Sequence, residues 1–129
     1  MPHLTLEYTS NIRQHVNFAE LFSAVHRVLA QVGGVSIENC KSRAVKHHDF
    51  YIGSGGSSKA FVHLGMTMLE GRPLALKQKV GESILRVLQD TYAASMVEQD
   101  LQITVEVRDI QRATYFKVPE GTLSSGKSD

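Results

Sequence analysis

Two short stretches carry the residue types that could act on a small molecule: Pro2, directly behind Met1, and LEGRP at Leu69 to Pro73. Inside a chain, a proline nitrogen is a tertiary amide with no proton to give or take. Freed by removal of the initiator methionine, which cells carry out when the next residue is small or proline, it becomes a secondary amine and a base. The alternative is structural, since proline is tolerated as the first residue of a strand, where no ladder hydrogen bond is lost. In LEGRP, Gly71 makes the bend after a strand, Arg72 sits at the mouth of a helix and Pro73 fixes its first turn. Such an arginine can turn its planar fork toward a carboxylate, or can stand solvated at an ordinary helix start.

Other constellations compete with this pair. GSGGSS at Gly53 to Ser58 has the composition of a phosphate cradle, but that cradle needs a helix N-terminus immediately after it, and a strand pattern follows here. It reads as a hairpin loop. The six histidines include His47-His48, yet strand neighbours point to opposite faces and no i, i+4 pair with a carboxylate stands on a helix, so no metal is expected. The single Cys40 cannot form an internal disulfide and reads as a small core hydrophobe in a strand-like segment.

The elements that must position these residues are legible in the periodicities. His3 to Tyr8 alternate as a strand. Asn17, with Glu20 three residues on, marks a helix start, and apolar residues at helical spacing extend it from Phe18 to Val32, before Gly33-Gly34 stop it. Cys40 to Phe50 and Ala60 to Leu69 read as strands. A second helix runs from Arg72-Pro73 to about Val97 with Leu76, Val80, Ile84, Val87 and Leu88 on its buried stripe. Leu101 to Val107 form a fourth strand, and Tyr115-Phe116 are expected to add a short one. An offset of 60 residues overlays one half on the other. The fold class expected is α/β (α+β): duplicated β-α-β units with right-handed crossovers, giving a four-stranded mixed sheet with two helices on one face. Alternation alone leaves open how the other face is covered.

At 129 residues and 42% apolar content the chain suits one domain, placed at 1–118, with a flexible polar tail at 119–129. The net charge of +1, with basic residues scattered, argues against nucleic acid as a partner. No apolar run approaches a membrane span and no signal-peptide pattern opens the chain, so a cytoplasmic location without membrane partners is expected.

PHLTLEYTSNIR at Pro2 to Arg13, KSR at Lys41 to Arg43, AFVHL at Ala60 to Leu64 and LEGRP together resemble the 5-carboxymethyl-2-hydroxymuconate isomerases of the tautomerase superfamily. The likeness spans roughly Pro2 to Lys117. It implies a homotrimer with sheets lining the centre, which would cover the open sheet face. It also implies an N-terminal proline acting as general base, substrate-binding cations, a small dicarboxylate substrate and no cofactor. Arg72 matches the strand-end arginine shared with the half-length 4-oxalocrotonate tautomerases. The KSR segment departs from a pattern that often has arginine where Lys41 stands, which leaves the second carboxylate-binding cation open between Lys41 and Arg43, two residues on one strand face.

The reaction such a site suits is a 1,3-allylic or keto-enol proton shift in an unsaturated 2-hydroxy or 2-keto dicarboxylate. Related activities on the same scaffold are phenylpyruvate-type tautomerisation and dehalogenation. A non-catalytic trimeric binding or signalling protein is the reading from another class.

Overall fold

The computed structural model describes residues 1–119. The tail expected over 119–129 lies, apart from Pro119, outside the described residues.

Strand β1 (His3–Thr9) buries Leu4 and Leu6 completely and turns His3, Thr5 and Glu7 to the other side. Helix α1 (Phe18–Gly33) starts where the capping pattern predicts, the Asn17 side chain accepting from the Glu20 N–H at 3.1 Å. It stops at Gly34, whose left-handed φ of 68° costs a glycine nothing. A single 3-10 turn at Ile37–Asn39 then leads into β2 (Lys41–His47). This strand is shorter than the Cys40 to Phe50 expected, because its ladder partner β1 ends at Thr9, opposite His47. Cys40 is thereby left just outside the strand, half-buried against the core.

Strand β3 (Lys59–Leu69) alternates almost throughout, with Ala60, Val62, Leu64, Met66 and Met68 buried. Gly71, at φ 111°, makes the bend, and Pro73 is the cap rather than a first-turn residue of α2 (Leu74–Thr91). Val80, Ile84 and Leu88 form its buried stripe. The helix expected to continue to Val97 breaks at Tyr92, and α3 (Ala93–Glu98) follows. The cause is Gln14, in the loop after β1. Its amide nitrogen donates to the Thr91 carbonyl while its amide oxygen accepts from the Ser95 N–H and hydroxyl. In a continuous helix that carbonyl and that N–H would bond each other; the side chain replaces the bond and lets the axis turn.

Strand β4 (Asp100–Ile110) completes the sheet. The short strand expected at Tyr115-Phe116 does not form. Glu70 captures Arg112 instead, its carboxylate accepting from the Arg112 N–H at 2.8 Å and its carbonyl from the guanidinium at 3.0 and 3.2 Å. The chain curls into a 3-10 turn at Arg112–Thr114, and Tyr115 turns its side chain toward β1.

The order is β2-β1-β3-β4, with β1 parallel to β2, β3 parallel to β4 and β1 antiparallel to β3. Two β-α-β units thus share one sheet. The offset of 60 keeps the faces of β1 and β3 in step, but His3 pairs with Lys41, 38 residues on, and Lys59 with Asp100, 41 residues on, so the second unit carries three more residues between its strands. Leu4, Leu6, Leu64 and Met66 meet Val25, Leu29, Ile84 and Leu88 of α1 and α2 in one core. The opposite face is polar. It carries Glu7 on His47 at 2.8 Å and His63 on Thr104 at 2.7 Å, and among the described residues no helix covers it.

Candidate active site

This topology gathers the starts of β1 and β2 and the ends of β3 and β4 at one end of the sheet. Pro2 precedes β1 there and is buried. Its carbonyl accepts from the Lys41 N–H at 3.1 Å, which ties it into the parallel ladder with β2. His3 pairs across with Thr67, so Pro2 stands beside the end of β3. Arg72 follows that end by three residues, half-buried, with its guanidinium donating to the Leu69 carbonyl at 3.4 Å. The topology therefore places Pro2, Arg72 and the start of β2 at the same end of the sheet.

The corner is electropositive. The chain N-terminus and the Lys41 ammonium donate to the same acceptor, the Asn39 carbonyl, each at 2.9 Å. Arg43, one pleat further along β2, donates to His3 Nδ1 at 3.0 Å. An arginine can only donate, so Nδ1 must be the unprotonated nitrogen and Nε2 carries the hydrogen, which goes to the Tyr115 hydroxyl at 3.0 Å. That hydroxyl in turn contacts the Met1 sulfur. Partial burial, and then the charges of Arg43, the N-terminus and Lys41, hold His3 below its usual pKa of 6.5.

Lys41 and Arg43 are both exposed on the polar sheet face, and they differ in surroundings. Lys41 stands beside the N-terminus, whereas Arg43 reaches it through His3. Three residues that sequence reasoning missed complete the corner. His3 shares its ladder rung with Lys41 and could have been found from that pairing. Tyr115 and Arg112 arrive from the far end of the chain, and no local pattern announces them. Among the described residues no group of three or more His, Cys, Asp or Glu side chains could hold a metal ion, and no helix is long and apolar enough to cross a membrane.

A family model described as 5-carboxymethyl-2-hydroxymuconate isomerase matches residues 2–120. The chain belongs to this isomerase family. Its sequence is 27% identical over 117 residues to the 5-carboxymethyl-2-hydroxymuconate Delta-isomerase of Escherichia coli, covering 91% of this chain and 93% of that one. The fold superimposes on a 5-carboxymethyl-2-hydroxymuconate isomerase from Deinococcus radiodurans R1 with a TM-score of 0.82 at 28% identity, covering 96% and 92% of the two chains. A structure described as a fused 4-OT wild-type symmetric trimer shares the fold at a TM-score of 0.72 and 14% identity, over 95% and 96% of the chains. The architecture is that of the tautomerase superfamily, and the protein is an isomerase.

The depressed histidines of this isomerase set a pH dependence of its stability. His26 on α1, half-buried with Nε2 at 2.7 Å from the Ser42 hydroxyl, is also held below 6.5, by burial. A histidine whose folded pKa is lowered takes up its proton more readily when unfolded, so its contribution is fully present above pH 6.5 and is lost as pH falls from there through the folded value. Urea midpoints at fixed protein concentration should be level from pH 8 to 7 and decline toward pH 5.5. The paired change His3→Gln, His26→Gln should flatten that decline; an equally steep decline in the variant would show that other groups drive it.

Proposed function

We propose that this protein shifts a proton and a double bond in an unsaturated 2-hydroxy or 2-keto di- or tricarboxylate, such as the tricarboxylate 5-carboxymethyl-2-hydroxymuconate, with Pro2 as the general base once Met1 is removed. The observation that carries this reading is the buried start of β1 in a corner of cations. On the 2-hydroxy dienol the base takes the hydroxyl proton to leave a dienolate, and its conjugate acid returns a proton at a dienolate carbon to give the 2-keto isomer; on a 2-keto substrate the base first takes the proton from the carbon next to the conjugated system. One group serves both steps when its pKa lies near the working pH. An α-amino group begins near ~8, and both burial and the ammonium of Lys41 disfavour its charged form. Those influences bring the nitrogen toward neutrality.

Arg72 holds a substrate carboxylate and steadies the dienolate, a kind of interaction worth about 3 kcal/mol when one donor is lost. Lys41 is the better placed of the two strand cations for the second carboxylate, as a point charge on the residue whose backbone N–H is tied to the Pro2 carbonyl. Tyr115, on His3 and Met1, is left facing the vacated space. No cofactor enters this scheme.

A panel of 2-hydroxymuconates, with phenylpyruvate and a haloacrylate beside them, tests the assignment through loss of the dienol ultraviolet band or release of halide. Turnover led by the carboxymethyl compound supports it. A preference for phenylpyruvate or the haloacrylate would move the protein to another tautomerase activity, and silence on all would favour a binding protein.

The homotrimer belongs to the same proposal. The polar sheet face with Glu7, His47 and His63 has no cover among the described residues, and trimeric neighbours share the fold. Sedimentation equilibrium at micromolar concentration should return about three times the chain mass. A monomer at that concentration would remove both the assembly and any site shared between subunits.

A further inference from the structure

At the opposite end of the sheet, about 20 Å along β1 from Pro2 at the rise of a strand, lies a cavity of about 370 Å³ that the isomerase reaction does not use. Its position follows from the loop after β1, which is clamped on two sides. Asn11 donates to the Lys59 carbonyl at 2.7 Å, and Gln99 donates to the Asn11 carbonyl while its own oxygen accepts from the Arg13 N–H. Gln14 binds both sides of the break between α2 and α3. The break swings Tyr92 beneath this loop, and the space between Tyr92, the loop and the ends of β1 and β2 is the cavity.

Its lining has a distinct chemistry. Tyr8 and Phe18, with ring centroids 5.2 Å apart, and Ile12 supply aromatic and apolar wall. Arg13 and Lys46 stand exposed at the rim, and no carboxylate lines the cavity or pairs with either cation among the described residues. Tyr92 is 1% exposed, and its hydroxyl has no hydrogen-bond partner. Buried hydroxyls are ordinarily satisfied. Burial, with Tyr8 close by, also pushes the Tyr92 phenol up to about 12, so it stays a donor at any working pH.

We infer that this cavity binds a small aromatic carboxylate carrying an oxygen on the ring edge opposite its acid group. The carboxylate lies between Lys46 and Arg13, the ring packs on Phe18 and Ile12, and the distal oxygen accepts from the Tyr92 hydroxyl, which is reached when the half-exposed Tyr8 ring turns aside. Volume, apolar wall and a few convergent polar groups are the usual marks of a small-molecule site, and a charged rim with a neutral donor within selects an anion with a second polar end.

The test is titration of the intact protein with 4-hydroxybenzoate, benzoate, 4-hydroxybenzamide and inorganic phosphate, followed by amide chemical shifts around residues 8–18 and 92. Expected are saturable binding of 4-hydroxybenzoate, roughly tenfold weaker binding of benzoate and none of the neutral amide at equal concentration. Tyr92→Phe keeps the ring and should melt no lower than the parent, yet should erase the difference between 4-hydroxybenzoate and benzoate. Lys46→Ala should weaken both acids about tenfold. Met1-retaining protein should bind as well as processed protein, because Pro2 is remote. Phosphate binding as tightly as the aromatic acids, a hydroxyl preference that survives in Tyr92→Phe, or shifts confined to residues around Pro2 would each overturn the inference.

Discussion

Protein that retains Met1 should show no isomerase turnover above background, while processed protein, folded alike, turns over. The expected loss is the whole of the proline-dependent rate. With Met1 attached, the Pro2 nitrogen is an amide and has no basic lone pair near neutral pH. Met1 itself is 1% exposed, and its sulfur touches Tyr115, so the residue also fills space that a substrate would need. The frame does not depend on removal, because the anchor from the Lys41 N–H to the Pro2 carbonyl is backbone. The check is initial rates on two preparations verified by intact mass, with circular dichroism to show equal folding. Equal rates would reduce Pro2 to the first residue of a strand.

Arg72→Ala should lower kcat/KM about a hundredfold or more, with kcat falling as well as KM rising, because in the proposed mechanism the guanidinium binds the dienolate more strongly than the ground state. The position supports this effect without requiring rearrangement of the sheet. Gly71 at φ 111° and the cap at Pro73 hold the segment between β3 and α2, so the side chain is truncated while its backbone stays placed. Arg72→Lys keeps the charge and loses the planar fork, and should recover part of the loss. A rise in KM alone would mean uniform binding of substrate and transition state. Unchanged kinetics would leave Arg72 a helix-start residue.

Much of the fold was legible because local chemistry and tertiary need agree in it. Asn17 and Glu20 fix the start of α1, Gly34 fixes its end, and the alternation of β3 survives in its burial from Ala60 to Met68. Where the reading failed, a distant side chain decided. Gln14 breaks the long helix at Tyr92, 77 residues away from its bonding partner Thr91, and Glu70 curls the segment expected to be a strand at Tyr115-Phe116 by holding Arg112. The candidate site followed the same rule. Pro2 and Arg72 carry recognisable local signals and Lys41 and Arg43 come from the family resemblance, whereas Tyr115 enters through a fold-dependent contact with His3, 112 positions earlier in the chain.

The identity of the base is tested most directly by the pH dependence of kcat/KM for processed wild-type protein and Pro2→Ala on 5-carboxymethyl-2-hydroxymuconate. A free secondary amine acting as base makes the rate fall on the acid side as it takes up its proton, and Pro2→Ala substitutes a primary amine of different basicity at the same position. The expected result is a slower but active variant whose acid limb has moved from that of the parent. Coincident acid limbs and equal rates in the two proteins would contradict the assignment of Pro2 as the base.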